Sequence, residues 1–399
     1  MKPGVLRGRL AQLAAQHLQR RRRTVTALDR GEGAGVVVDG RRLVNFCGND
    51  YLGLKQHPAL AEALARCAAL AGTGSGASHL VTGHGLEHEQ LEAELAHFTG
   101  RPRALLFSTG YMANLAAVTC LAARDSRIVM DRLCHASLID AARLSGARLR
   151  RFAHGDAGAA AAALQSAAAP GADLLVSDGV FSMDGDLAPL PQLAQAAAAA
   201  EACLIVDDAH GLGVMGATGR GSLEHFNLDG EAVPILVGTL GKAFGCFGAF
   251  IAADTDCIEW LLQTARSYLY TTALPQPVAA AARAALAVSM AESWRRERVL
   301  ELAARLRRGA AQAGVPLLPS FSPIQPVVLG DSARTLAVSE QLFAAGFWVA
   351  AIRPPTVPKG AARLRITLSA AHSEQQVDAL IEVLAAALHE LPASPHAAA

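Results

Sequence analysis

The sequence predicts an α/β fold, a mostly parallel sheet flanked by helices, followed by a smaller α+β C-terminal domain. Three observations predict it. The run Cys203-Leu204-Ile205-Val206 is short, β-branched and without polar alternation, the pattern of a strand buried on both faces, and it breaks into Asp207-Asp208-Ala209-His210-Gly211. A second such run, Pro234-Ile235-Leu236-Val237, passes into Gly238-Thr239-Leu240-Gly241-Lys242. Further apolar runs at 104–107, 126–131 and 173–178 also end in polar clusters, and open α/β sheets bind ligands at the carboxyl ends of such strands.

The elements follow in order. Residues 1–30 read as a helix, with Leu6, Leu10, Leu13 and Leu18 at helical spacing, ending at Gly31-Glu32-Gly33. Residues 36–46 read as a hairpin with Asp39-Gly40 at its turn. Asn49-Asp50-Tyr51-Leu52-Gly53-Leu54 reads locally as a turn with a packing aromatic. A Gly-rich stretch, 72–85, precedes a helix that begins near Leu86. The strand at 104–107 leads into a helix whose N-terminus, Thr109-Gly110-Tyr111, offers unpaired N–H groups to a phosphate. The strand at 126–131 leads to His135, and that at 173–178 to Ser182; taken alone, the first is a hydrogen-bonding loop residue and the second a cap.

Past Lys242, residues 248–253 form another strand and 277–314 a long helix. Strands at 326–329, 347–352 and 363–368 make up the smaller domain. The boundaries expected are 1–45 for an N-terminal arm and hairpin, 46–285 for the large domain and 286–399 for the small one. In the small domain Ile352-Arg353-Pro354-Pro355-Thr356-Val357-Pro358 carries two consecutive prolines, which exclude helix and predict an extended loop.

Bulk properties exclude several classes. The 399 residues carry a net charge of +1, which predicts neither a nucleic-acid nor an acidic-surface partner. Seven cysteines, odd in number and without a CxxC pair, read as reduced core residues. The N-terminus lacks an apolar signal region and the alanine tracts are broken, so a cytoplasmic protein without membrane segments is expected.

An acid and a Gly-flanked lysine at neighbouring strand ends suggest pyridoxal phosphate, because a lysine amine condenses with an aldehyde and a carboxylate pairs with a pyridine nitrogen. Other readings stand beside it. An acid at a strand end also caps helices or binds metals. Residues 238–242 half-match a phosphate-binding P-loop, but Leu236 stands where glycine is needed and Ala243 where Ser or Thr is needed. His84-Gly85-Leu86-Glu87-His88 matches a zinc-protease pattern, yet Gly83 and Gly85 place His84 on a loop instead of a continuous helix, so no metal ligand set is assigned.

The spacing of Asp207-Asp208-Ala209-His210-Gly211 and Thr239-Leu240-Gly241-Lys242 resembles the fold-type I pyridoxal-phosphate enzymes, and more narrowly the α-oxoamine synthase family, over residues 13–388. The resemblance implies a seven-stranded sheet in the large domain and a homodimer with shared active sites. It implies that Lys242 carries the cofactor, that Asp207 faces its ring nitrogen, and that His135 stacks on the ring and joins in catalysis. Gly110 and Tyr111 fall on phosphate-binding positions, with Ser182, His210 and Thr239 as further cofactor contacts. Arg353 matches the residue that grips the amino-acid carboxylate, a task suited to a guanidinium fork, with Thr356 beside it. A substrate-contacting arginine falls in the run 20–23, best at Arg20.

Residues 49–54, 178–186 and 353–358 are most similar to the members that join L-alanine to a pimeloyl thioester, carried by acyl carrier protein or coenzyme A, in biotin biosynthesis. Three alternatives stay open: a sister synthase using glycine or serine with another acyl thioester, a different pyridoxal enzyme such as an aldolase, which would release no carbon dioxide, and a non-catalytic homologue that acts as a binding partner.

Overall fold

The computed structural model describes residues 3–29, 33–166 and 171–391. It divides into two compact units. The larger comprises Asp50–Ser182 and Asp186–Arg296, and the smaller the described residues of Met1–Asn49, Met183–Gly185 and Glu297–Ala399.

In the smaller unit the first helix, Pro3–Ala15, is shorter than the 1–30 expected; residues 1, 2 and 30 lie outside the described residues. His17 turns into the left-handed region at φ 55°, and Val25–Asp29 pairs as strand β1 against β2, Gly35–Val38. The β-branched Thr24-Val25-Thr26 favours extended backbone, which local helical spacing of leucines does not outweigh. Strand β3, Arg41–Asn45, closes the hairpin with β2 through Asp39 and Gly40, both at positive φ (50° and 75°), as a two-residue type I′ turn requires.

The larger unit holds a seven-stranded sheet: β4 (Arg103–Phe107), β5 (Arg127–Asp131), β6 (Arg148–Phe152), β7 (Asp173–Asp178), β8 (Cys203–Asp207), β9 (Ile235–Thr239) and β10 (Ala249–Ala253). The spatial order is β4-β10-β9-β8-β7-β5-β6, and β10 alone runs antiparallel to both its neighbours. The other pairs are parallel, so the carboxyl ends of the remaining six strands share one edge. The period of two along the inner strands buries both faces. Leu174 and Val176 of β7 join one apolar layer with helices Gly110–Leu121 and Ala136–Ser145, and Leu175 joins the opposite layer with helices Ala157–Gln165 and Leu190–Ala199. Strand β6 escapes local pattern reading because Arg148, Arg150 and Arg151 make it polar; it is an edge strand, where exposed charge is tolerated.

The single helix expected over 277–314 is two, Gln276–Ala291 and Trp294–Gln312. The break falls at Glu292, whose backbone leaves the helical region and whose carboxylate pairs with Arg295 at 2.6 Å.

The smaller unit completes with β11 (Ile324–Gly330), β12 (Phe347–Trp348), β13 (Ala350–Ile352) and β14 (Ala362–Thr367). A three-stranded antiparallel sheet runs β11-β14-β13, while β12 pairs in parallel with β3. The strand expected over 347–352 is therefore split between two sheets. Its pivot, Val349, is fully buried and its carbonyl accepts a hydrogen bond from Ser339 Oγ at 2.6 Å. Among the described residues, no helix is long and apolar enough to cross a membrane.

Candidate active site

The shared carboxyl edge of the large sheet gathers eight of the sequence-predicted residues. Asp207 ends β8 and is buried. Its Oδ2 accepts a hydrogen bond from Asn114 Nδ2 at 2.6 Å and its Oδ1 one from the Ala209 N–H at 3.0 Å. Asn114 Nδ2 also donates to Ser137 Oγ at 2.8 Å, and Ser137 Oγ lies 2.7 Å from His135 Nδ1. A polar chain thus runs from His135 through Ser137 and Asn114 to Asp207. It crosses the apolar layer above the sheet, where an ordered set of partners offsets the desolvation of each group.

His135 caps helix Ala136–Ser145, its Nδ1 accepting from the Ser137 N–H at 3.3 Å, and its own N–H donates to Asp178 Oδ1 at 3.1 Å. His135 is exposed as a whole residue, yet desolvation by the surrounding protein pushes its pKa below the ordinary value, against the pull of Asp207 and together with the charge of Lys242. The same Lys242 charge pulls against the rise of Asp178 and Asp208. Burial, then the neighbouring Asp207, holds the Asp178 carboxyl well above the usual range. Asp208, fully buried, is raised to about 7 by burial in spite of its bonds to Ser222. Its task is structural, since its Oδ2 ties the Ser222 N–H at 2.7 Å.

His210 is buried and its Nδ1 lies 2.7 Å from the Tyr51 hydroxyl. Tyr51, read locally as a packing aromatic, is thus a polar partner too. Thr239 ends β9; its hydroxyl donates to the Gly248 carbonyl at 3.1 Å and accepts from the Gly241 N–H at 3.3 Å. Lys242 follows in a turn closed by Gly245 N–H to the Lys242 carbonyl at 2.9 Å. Gly245 has φ 63°, and a Cβ there would lie 2.4 Å from the Lys55 nitrogen. The reason for that glycine is close backbone packing, whereas a Cβ at Gly241 would meet only ordinary contacts from 3.7 Å.

Gly110 and Tyr111 open helix Gly110–Leu121, capped by Thr109, whose hydroxyl accepts from the Met112 N–H at 3.3 Å. A Cβ at Gly110 would meet nothing within 4 Å, so space lies open before N–H groups that the helix cannot satisfy. The Tyr111 hydroxyl donates to Asp140 at 2.7 Å. Ser182 lies in the loop after β7, and that loop is drawn closed by Phe181 N–H to the Asp186 carbonyl at 2.9 Å. An amine, a carboxylate, an imidazole and a helix N-terminus are the donor set that an aldehyde, a pyridine nitrogen, an aromatic ring and a phosphate require, and pyridoxal phosphate fits it.

Arg20, Arg353 and Thr356 belong to the smaller unit. Arg353 donates to the carbonyls of His17 and Gln19, and Arg20 donates to the Pro354 carbonyl at 3.3 Å. Arg353 Nε is buried without a protein partner. The Pro-Pro segment forms a turn, closed by Thr356 N–H to the Arg353 carbonyl at 3.1 Å, instead of the extended loop expected. Of the run 20–23, Arg23 is taken by a pair of hydrogen bonds to Glu340 at 2.6 and 2.7 Å.

Sequence reading did not single out Asn114, Ser137 or Asp178. The available signal was Asn114 itself, a polar residue in the otherwise apolar first turns of helix Gly110–Leu121.

The family model of aminotransferase class I and II matches residues 41–384. The chain is 54% identical over 390 residues to the 8-amino-7-oxononanoate synthase of Pseudomonas fluorescens, covering 98% of each chain. It is 56% identical over 379 residues to that of Methylococcus capsulatus, covering 95% of this chain and 97% of the other. Among solved structures, serine palmitoyltransferase of Sphingomonas wittichii superposes with TM-score 0.91 at 30% identity, covering 98% and 97%. The 8-amino-7-oxononanoate synthase of Francisella tularensis superposes with TM-score 0.77 at 30% identity, covering 87% of this chain and 98% of the other. With its strand-end lysine, acid and histidines in place, the chain belongs to the aminotransferase class I and II family and, within it, to the 8-amino-7-oxononanoate synthases.

Proposed function

We propose that the chain catalyses the decarboxylative condensation of L-alanine with a pimeloyl thioester, giving 8-amino-7-oxononanoate, carbon dioxide and the free thiol carrier, in biotin biosynthesis. The observation that carries this reading is the strand-end cluster of Asp207, His135 and Lys242 in a chain 54% identical to such a synthase along nearly its whole length. Pyridoxal phosphate, when bound, supplies an electron-withdrawing ring that accepts the electron pair left at the α-carbon by loss of a proton and then of carbon dioxide.

The residues divide the work. Lys242 holds the cofactor and moves the α-proton with its amine. Asp207, fixed by Asn114 and the Ala209 N–H, keeps a proton on the ring nitrogen. A charge pair about 4 Å apart at an effective dielectric near 20 gains about 4 kcal/mol gross, up to about three pKa units before desolvation is subtracted. The N–H groups of Gly110 and Tyr111 hold the phosphate, with Ser182, His210 and Thr239 as further contacts. His135, neutral because its pKa is lowered, polarises the acyl oxygen or relays protons. Arg353 presents Nε to the alanine carboxylate, and Thr356 and Arg20 contact substrate.

Arg21 and Arg22 stay exposed, which supports an acidic acyl carrier protein as the donor of the pimeloyl group. The functional assembly is a homodimer with shared sites. Supporting it, an apolar groove of about 1000 Å³ in the larger unit is lined by Cys67, Leu70, Leu86, Ala287 and Met290, with Leu70 90% exposed.

The test is an absorbance titration of the purified protein with pyridoxal phosphate, adding L-alanine, glycine and L-serine separately, then the pimeloyl thioester. A visible cofactor band perturbed by L-alanine, with carbon dioxide released only when the pimeloyl thioester follows, is expected. A band that persists unchanged in Lys242→Ala, or carbon dioxide formed equally from glycine or serine, overturns the assignment of the lysine or of the amino acid.

A further inference from the structure

The histidines around residue 84 form a cluster that the reaction does not use. His79, His84 and His88 stand in a triangle with ring centroids 5.1–5.3 Å apart. The zinc-protease pattern of the sequence is not what they build. Glu87 is paired with Arg283 at 2.7 Å, and both nitrogens of His88 are engaged, Nδ1 accepting from the Gly85 N–H at 3.0 Å and Nε2 donating to the Leu274 carbonyl at 2.5 Å. His84 faces the other way. Its Nε2 lies 3.2 Å from Glu89 Oε2, and one ligand atom each of His84, Glu89 and Glu92 falls within 4.8 Å of the others.

We propose that His84, Glu89 and Glu92 form a site for a divalent transition-metal ion of the Zn²⁺ class, with His79 orienting His84. Glu89 and Glu92 lie three residues apart on helix Leu86–Thr99, one turn on one face, and His84 approaches from the preceding loop. All three line a cavity of about 380 Å³, together with His79, Arg103 and Tyr268, which leaves room for an ion and its waters. One imidazole and two carboxylates are a nitrogen–oxygen set suited to Zn²⁺ and without the thiolates that softer ions require.

The assignment requires one particular tautomer of each ring. For His84 Nε2 to bind a metal, its Nδ1 must carry the proton and donate it, and His79 Nδ1 lies 2.9 Å away. His79 Nδ1 accepts there in the tautomer that carries its proton on Nε2. Its ring is held by stacking on Tyr268 at 4.8 Å. Glu92 uses Oε1 to accept from the Leu106 N–H at 2.8 Å, leaving Oε2 for a ligand. Arg103 is itself paired with Glu259 at 3.0 Å, and a divalent ion would supply the charge that ionised Glu92 otherwise lacks. Binding then ties the loop of His79 and His84 to helix Leu86–Thr99.

The experiment uses the full-length, cofactor-loaded protein, dialysed against Zn²⁺ and then analysed for metal per chain by atomic emission. Wild type is expected to retain one ion per chain. Glu89→Gln, at an exposed position that does not threaten the fold, should bind at least about tenfold more weakly, and His84→Ala should lose the ion. No retained Zn²⁺ in wild type, or equal retention in wild type, Glu89→Gln and His84→Ala, overturns the proposal. Because the readout is bound metal, it is independent of the condensation reaction.

Discussion

Asn114 Nδ2 donates to Asp207 Oδ2 across 2.6 Å, joining the middle of a helix to the end of a strand 93 residues further along the chain. The amide must face the carboxylate with its nitrogen, because its oxygen would repel the charge; that oxygen, Asn114 Oδ1, is buried without a partner. Asn114 therefore sets which face of the Asp207 carboxylate points into the site. Replacing it by alanine removes a hydrogen bond to a charged group, worth about 1.5–3 kcal/mol, and kcat is expected to fall about 10- to 100-fold with a smaller change in KM for L-alanine. An unchanged kcat with a lowered melting temperature alone would reduce Asn114 to a packing residue.

His154 bridges two acids, with Nδ1 3.0 Å from Asp131 Oδ1 and Nε2 2.9 Å from Asp186 Oδ2. Burial pushes its pKa down, but the hydrogen bonds and charges of the two carboxylates outweigh burial and raise it from 6.5 to about 10. A raised histidine contributes its full stability below about 6.5 and loses it as pH rises through about 10. His154→Gln should therefore destabilise the protein by about 1–3 kcal/mol near pH 6 and by much less above pH 10, as followed by urea unfolding across pH. A gap between the two proteins that widens with pH would contradict the ionic bridge.

Gly245 combines a left-handed φ of 63° with backbone 2.4 Å from where a Cβ would stand. Gly245→Ala should cost about 1–3 kcal/mol and displace the turn that presents Lys242, so cofactor affinity should drop along with the melting temperature. Equilibrium titration with pyridoxal phosphate measures the first and thermal unfolding the second. Gly241→Ala is the contrast, since a Cβ there finds ordinary contacts only, and it should leave the melting temperature unchanged.

Arg353 holds the N-terminal arm through the carbonyls of His17 and Gln19 while Nε remains unpartnered. Lysine keeps the charge but not the fork. Arg353→Lys should raise KM for L-alanine at least about tenfold, because the Nε–H donor to the carboxylate is lost. Steady-state kinetics at saturating pimeloyl thioester gives the answer, and a KM unchanged in both Arg353→Lys and Arg353→Ala would assign the carboxylate to another group.

Local chemistry made much of this protein readable from its residues. The buried strands at 203–207 and 235–239, the hairpin turn at Asp39-Gly40 and the helix opening at Gly110 depend on side-chain period, positive φ and orphan N–H groups, all properties of a few consecutive residues. Asp207 and Lys242 stood out for a similar reason, as an acid and a Gly-flanked lysine at or just past the ends of neighbouring apolar strands, whereas His135 and Arg353 drew their roles from the family resemblance. What no short window contains is which distant groups become partners. The strand order β9-β8-β7-β5 brings Asp178 beside Asp207, helix packing aims Asn114 at the same carboxylate, and His154 finds Asp131 and Asp186. The split of 347–352 between two sheets has the same origin, since β12 pairs with β3 and β13 with β14, and at the break in the long helix Glu292 lies 3.6 Å from the distant His57. Pairing energy between residues far apart in sequence exceeds the local preference that favoured one unbroken element, and that energy exists only once the chain has folded.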